Sequence, residues 1–188
     1  MELNQVQIDA MFQNDKLANQ YMEMMDQFAI DSPIMNSQDM YANSKGFIST
    51  FKNSQNAIVN LEKAWKLTEK MAAFDPIQGV GGAAFALKEL FSGDAISMIE
   101  RFELPRSELN VIKKLDPEKQ LEALEKLFTK MGFTDAFIAE SASAAIGQWN
   151  QIGEKVSKGF RLMGVDALNK LKPELEKFNK FLEGTAAQ

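Results

Sequence analysis

Apolar residues recur three or four positions apart along almost the whole chain, and this spacing restricts the fold more than any other feature. It is clearest around Trp65, where Ile58 and Leu61 precede it at helical intervals and either Thr68 or Ala72 follows. Such spacing places the apolar side chains on one face of an α-helix. No run of about four to eight residues alternates Val, Ile or Thr with polar residues as a half-buried strand would. We therefore expect an all-α, multi-helix domain of about seven to nine helices with no significant sheet.

Prolines, glycines and capping residues divide this pattern into separate helices. The segments 31–33 (Asp-Ser-Pro) and 75–76 (Asp-Pro) end helices, because proline disfavours helix in the residue before it. Asp116-Pro117-Glu118 is typical of a helix start, and Gly132 is typical of a helix end. The expected helices run roughly over Gln5–Ala29, from Ser37 onward, Phe47–Phe74, Val80–Phe91, Asp94–Met98, Glu108–Leu115, Asp116–Gly132, Thr134–Met163 and Leu168–Leu182.

Three segments differ in composition. Residues 1–30 form a Met- and Gln-rich amino-terminal helix, residues 31–164 the main helical domain, and residues 165–188 a carboxy-terminal amphipathic helix with a small polar tail. Seven of the 11 methionines fall within residues 1–40. Methionine is flexible and polarizable, so these residues suit either an irregular core or an adaptable contact surface.

The residue types that are missing narrow the possible chemistry. The chain has no Cys and no His, so it lacks a thiol nucleophile, a thiolate metal site and the usual neutral-pH general base. Its net charge of −5 argues against nucleic-acid binding, which needs a positive surface. The longest apolar stretch, Val80–Leu87, is far shorter than the roughly 20 residues that cross a bilayer. We predict a non-enzyme without cofactor or metal, and without membrane insertion by this segment.

Two local patterns resemble a phosphate-binding loop and a catalytic carboxylate pair, but the surrounding residues do not support either function. Gly79-Val80-Gly81-Gly82 lacks the strand and the Gly-Lys-Ser/Thr of phosphate-binding loops, so we interpret it as a site of close helix packing. Three glutamates, Glu118, Glu122 and Glu125, lie near one helix face among lysines. Mixed charge opposite an apolar stripe is typical of a solvated face. We expect no cleft there.

The two tryptophans, Trp65 and Trp149, lie in apolar stripes and are expected in the core. The residues predicted to surround them are Leu61, Phe85, Leu124, Phe128, Ile152 and Val156.

The last apolar stripe, called the terminal seam, leaves two interpretations open. It consists of Leu168, Leu171, Leu175, Phe178 and Leu182. A helix this short is marginal alone in water, so the seam must pack on its own domain or on another chain. It is the candidate partner-contact surface of this sequence.

Several short motifs, taken in order, resemble those of phage tail tape measure proteins. Upstream, Leu90-Phe91-Ser92-Gly93-Asp94 precedes Phe102-Glu103-Leu104. Downstream, Ser143-Ala-Ala-Ile-Gly147-Gln-Trp149 leads to Phe160-Arg-Leu-Met-Gly164, and Leu168 to Pro173 then carries a Leu-x-x-Leu-Lys-Pro pattern. The resemblance covers about residues 32–184, so the segment 31–164 is the tape-measure-like domain. The first 30 residues have no counterpart in it.

The resemblance implies a structural protein inside a bacterial virus tail, which sets tail length during assembly and leaves ahead of the DNA. Its partners would be the tail tube, the tail tip, assembly chaperones and copies of itself. It would occupy the lumen of the virion tail, and the host cytoplasm during assembly. Members of this family are much longer, so the chain would be a segment or a short relative. The alternative is a cytosolic, all-helical adaptor that binds another protein.

Overall fold

The helical pattern is realised as nine helices, which hold 77% of the residues that the structure describes. This computed structural model describes residues 2–144, with side chains from residue 6 onward, and contains no strand in that range. The all-α prediction is therefore confirmed for this region. The helices are α1 (Glu2–Phe12), α2 (Asp15–Asp31), α3 (Ser37–Phe51), α4 (Ala57–Phe74), α5 (Gly79–Phe91), α6 (Ile96–Glu100), α7 (Arg106–Ile112), α8 (Pro117–Met131) and α9 (described over residues 135–144).

The chain divides into two units, Met1–Ala142 and Ser143–Gln188. The first unit contains almost all of the described residues. The predicted boundary at residue 164, the predicted core residues Trp149, Ile152 and Val156, and the whole terminal seam lie outside the described residues.

Two of the predicted helices are each interrupted. The helix expected over Gln5–Ala29 is wrong, because the chain breaks after Phe12: Gln13 takes a left-handed φ of 53°. The amide side chain of Asn14 then caps α2 by accepting a hydrogen bond from the Leu17 N–H at 3.1 Å. The polar loop 52–56 likewise separates α3 from α4, where one helix was expected over Phe47–Phe74.

Helix α4 lies at the centre of the first unit and packs against α2, α3, α5 and α8. Twelve of its 18 residues are buried. Trp65 is fully buried, and Phe47 from α3 meets its ring edge-on with the centroids 4.9 Å apart. The core positions Leu61, Trp65, Leu124 and Phe128 are confirmed as fully buried.

The predicted core residue Phe85 is wrong, because its side chain is 42% exposed. Helix α5 directs Ala83, Ala86 and Leu87 into the core, and Phe85 lies on the opposite face. Two cations cover the exposed ring: Lys88 Nζ lies 5.2 Å and the Arg101 guanidinium 5.6 Å from its centroid.

A buried chain of hydrogen bonds joins three helices around Trp65. The indole N–H of Trp65 donates to the Tyr21 hydroxyl at 2.9 Å, and Tyr21 lies 2.8 Å from Ser44 Oγ. Because Ser44 donates to the Met40 carbonyl at 2.7 Å, its oxygen accepts the hydrogen of Tyr21. Burial raises the pKa of Tyr21 well above its ordinary value, so the hydroxyl keeps the proton that it donates. The three side chains tie α2, α3 and α4 together.

The packing role predicted for the glycines of α5 is also wrong. A side-chain carbon placed at Gly79 or Gly81 would meet nothing within 4 Å, and one at Gly82 would meet only Gln78 of the same turn. The close approach lies instead at Gly46 of α3, where an added Cβ would stand 2.4 Å from Lys88 Cδ. The space that α5 gives its neighbours comes from its alanines.

The signals around α8 are confirmed. Pro117 occupies the first turn, and Gly132 ends the helix with a left-handed φ of 88°. Phe133 N–H then donates to the Phe128 carbonyl at 2.9 Å, which closes the last turn. These bounds matter for function, because α8 forms one wall of a groove described below.

Candidate interaction groove

A groove of about 910 Å³ opens between α2, α4, α8 and α9. Its apolar lining consists of Met24, Phe28, Leu67, Leu121 and Ile138. Its charged lining consists of Asp31, Glu62, Lys63, Lys66, Glu69, Lys70, Glu122, Glu125, Lys126 and Asp135. Volumes of this order are typical of ligand sites, where a few polar groups orient the occupant within an apolar wall.

Two charged residues of α4 are buried at this groove. The apolar spacing of α4 places Lys63, Lys66, Glu69 and Lys70 off its apolar stripe, yet Glu69 is only 8% exposed and Lys70 only 6%. They are buried because α4 is central, and neighbouring helices enclose much of its polar face. Lys63 and Lys66 line the same groove.

Lys70 is neutralised by a partner on α8. Its Nζ lies 2.5 Å from Glu125 Oε1, and the Glu125 side chain is half exposed while the Lys70 side chain is buried. A buried ammonium is costly without such a partner, so this ion pair makes the burial of Lys70 tolerable. A second pair, Lys66 with Glu62 at 2.7 Å, lies along the outer surface of α4.

The expectation of no cleft near the glutamates of α8 is wrong. Glu118, Glu122 and Glu125 are exposed, as a solvated face requires. Glu122 and Glu125 nevertheless line the groove, and Glu118 lines a smaller cleft of about 360 Å³ with Thr50 and Phe51. The charge pattern of α8 was predicted correctly, whereas its position opposite α2 and α4 depends on the tertiary fold.

Glu69 is held by the turn that follows α2. Ser32 Oγ donates to Glu69 Oε1 at 2.5 Å and accepts the N–H groups of Ile34 at 3.1 Å and Met35 at 2.8 Å. The hydroxyl therefore orders the turn and fixes one carboxylate oxygen. Burial raises the pKa of Glu69, the Ser32 hydrogen bond opposes this shift, and the negative charge of Asp135 adds to it.

The groove was not predicted, and only part of it had a signal in the sequence. The Ser32-Pro33 pair marks a turn, and Ser32 is a residue type that bonds to backbone N–H groups in turns. Nothing in the spacing of Glu69 and Lys70 distinguishes them from the exposed lysines one turn earlier. The predicted contact surface, the terminal seam, lies outside the described residues.

The arrangement is suited to binding. Among residues 6–144 no three Asp or Glu side chains are grouped to hold a metal ion. Over the same part of the chain no helix is long and apolar enough to cross a membrane. What the groove offers is an apolar wall, two ion pairs and a buried carboxylate.

Comparison with protein-family models, with curated proteins and with solved structures finds no significant match to this chain.

Proposed function

We propose that this chain is a non-catalytic structural segment of a bacteriophage tail tape measure protein, acting in tail assembly, length determination and genome ejection. The observation that carries the proposal is the order of motifs along residues 90–104, 143–164 and 168–184, which resembles that of the family. An all-helical fold is compatible with this role, although many other proteins share it.

In this proposal the protein occupies the tail lumen, and the host cytoplasm while tails assemble. Its partners are the tail tube, the tail tip, assembly chaperones and other copies of the chain. The segment itself contacts neither nucleic acid nor membrane.

The described region would serve as a docking module and not as the measuring rod. A helix rises about 1.5 Å per residue, so α4, the longest described helix at 18 residues, spans only about 27 Å. The breaks after Phe12, Phe51, Phe74 and Phe91 fold these helices against one another. Length would then be set by other parts of a longer parent chain.

Mass spectrometry of purified particles tests the proposal. Particles released by the source strain should contain peptides from residues 57–142, and particles that have ejected their DNA should have lost them. The tail-tube protein, which stays in place after ejection, is the control. Peptides found in host lysate but absent from intact particles would contradict the proposal.

The groove favours a second candidate function, a cytosolic adaptor that binds another protein. A buried carboxylate beside an apolar wall suits recognition of one partner. The same experiment separates the two candidates, because an adaptor stays in the lysate. The neighbouring genes give an independent test: tail-tube and tail-tip genes beside the source gene would support the tape measure.

A further inference from the structure

The groove carries more negative than positive charge once its internal pairs are set aside. Lys66 pairs with Glu62, and Lys70 pairs with Glu125. The remaining lining charges are four carboxylates and two lysines: Asp31, Glu69, Glu122 and Asp135 against Lys63 and Lys126. The surface is therefore complementary to a cation.

Glu69 is the strongest point of this complementarity. It is more than nine-tenths buried, and only its Oε1 is bonded, to Ser32. Its Oε2 accepts no hydrogen bond from the described residues, and it is not among the side-chain atoms that are sealed from solvent without a partner. Because this oxygen is not sealed from solvent, a cationic donor can reach it through the groove and form a charge-assisted hydrogen bond.

Asp135 adds a second reason for a cation at this point. It lines the same groove from α9, and its negative charge contributes to the raised pKa of Glu69. Two carboxylates in one groove repel, and a cation that binds both replaces the repulsion with two attractions.

The groove is also lined by apolar residues, which suit a ligand that carries apolar groups beside its cation. Met24 and Phe28 of α2 are partly exposed in it, whereas Leu67, Leu121 and Ile138 line it from buried positions. Two turns of an α-helix about 10 Å wide fill roughly 850 Å³. The groove has about 910 Å³, which a small ammonium ion would leave mostly empty.

We propose that this groove binds an amphipathic helix of a partner protein, whose Lys or Arg enters between α4 and α9 to bond Glu69 and Asp135. Apolar side chains of that helix, one turn before and after the cation, pack against Met24 and Phe28. The proposal does not depend on the tail-assembly role.

The test is a titration of the full-length chain, labelled with ¹³C at the methionine methyl groups, with a designed peptide. The probe is a capped helical peptide of about 14 residues made of Ala, Leu and Gln with one central Lys. A matched peptide carries Gln in place of that Lys. The methyl group of Met24, which lines the groove, reports binding, and the fully buried Met40 is the internal control.

The proposal requires a saturable shift of the Met24 signal with Met40 unchanged. Replacing the peptide Lys should weaken binding about tenfold or more, as expected for one charge-assisted hydrogen bond. Glu69→Gln, which keeps an oxygen for Ser32, should weaken the Lys peptide to the same extent. Combining both changes should add little further loss, because they remove the same contact.

Three results would overturn the proposal: no saturable shift at Met24, equal binding of the two peptides, or unchanged affinity in Glu69→Gln. Tight binding of spermidine with displacement of the peptide would also overturn it, in favour of a small-amine site. If Glu69→Gln does not fold, Asp135→Asn carries the same test from the other wall, since Asp135 makes no described ion pair.

Discussion

Replacing Tyr21 by Phe tests whether the buried hydrogen-bond chain around Trp65 stabilises the fold. The substitution keeps the ring, which packs 5.4 Å from the ring of Phe12, and removes only the hydroxyl. The indole N–H of Trp65 then loses its acceptor at 2.9 Å, and Ser44 Oγ loses its donor at 2.8 Å. Tyr21 and Trp65 are fully buried, so water cannot replace the missing group.

The expected loss follows from one orphaned donor and one lost hydrogen bond. A buried donor left unsatisfied costs about 1–3 kcal/mol, and an ordinary hydrogen bond contributes about 1 kcal/mol net. Ser44 keeps its bond to the Met40 carbonyl, so its oxygen is not left without any partner. We therefore expect Tyr21→Phe to lower the free energy of unfolding by about 2 kcal/mol, which moves the urea midpoint down by about 1 M.

Urea unfolding followed by circular dichroism measures this change, and the second tyrosine of the chain supplies a matched control. Tyr41 donates to Asp26 Oδ1 at 3.3 Å in an exposed position, so Tyr41→Phe should stay within about 0.5 kcal/mol of the parent. Equal stability of Tyr21→Phe and Tyr41→Phe would refute the role assigned to the buried hydroxyl.

Three further predictions concern other described positions. Burial raises the pKa of Glu69, so as pH rises above the ordinary pKa of an unfolded Glu, the unfolded chain ionises first and the native state loses stability. The stability of Glu69→Gln relative to the parent should therefore increase with pH in pH-dependent unfolding, and a constant difference would contradict this. Glu125→Gln should cost about 1.5 kcal/mol by leaving the Lys70 ammonium without its counter-charge, and no loss in urea unfolding would show that the pair adds nothing. Gly132→Ala should lower the free energy of unfolding by about 1–2 kcal/mol because the φ of Gly132 is left-handed. Gly81→Ala, where an added Cβ meets open space, should raise it by up to about 1 kcal/mol. Thermal unfolding of both variants tests this, and a change of the same sign in both would refute it.

The sequence predicted those parts of the fold that are controlled by a few neighbouring residues. Asp116-Pro117 and Gly132 bound α8 because a fixed φ and a left-handed φ act locally. Trp65 and Leu61 were predicted as core because an apolar stripe on a long helix must be covered. The break after Phe12 has a weaker signal: Asn14 is a good cap, but the apolar spacing continues across it.

The groove depends on how helices far apart in the sequence pack, and the sequence did not predict it. Glu69 and Lys70 have the same spacing as exposed charges earlier on α4. The turn after α2 contacts Glu69, and α8, 55 residues away at the Lys70–Glu125 contact, pairs with Lys70. Phe85 failed for the opposite reason. It is apolar, but the small residues beside it on α5 face the core, and nearby cations cover its exposed ring.

The central position of α4 has a consequence for how the protein is made. Helices α2 and α3 leave the ribosome before α4, whereas α5 and α8 leave after it. The nascent chain can thus form the Tyr21–Trp65 contact early, but the ammonium of Lys70 stays without its partner until Glu125 has been synthesised. Until then one side of α4 is open to chaperones or to other nascent chains.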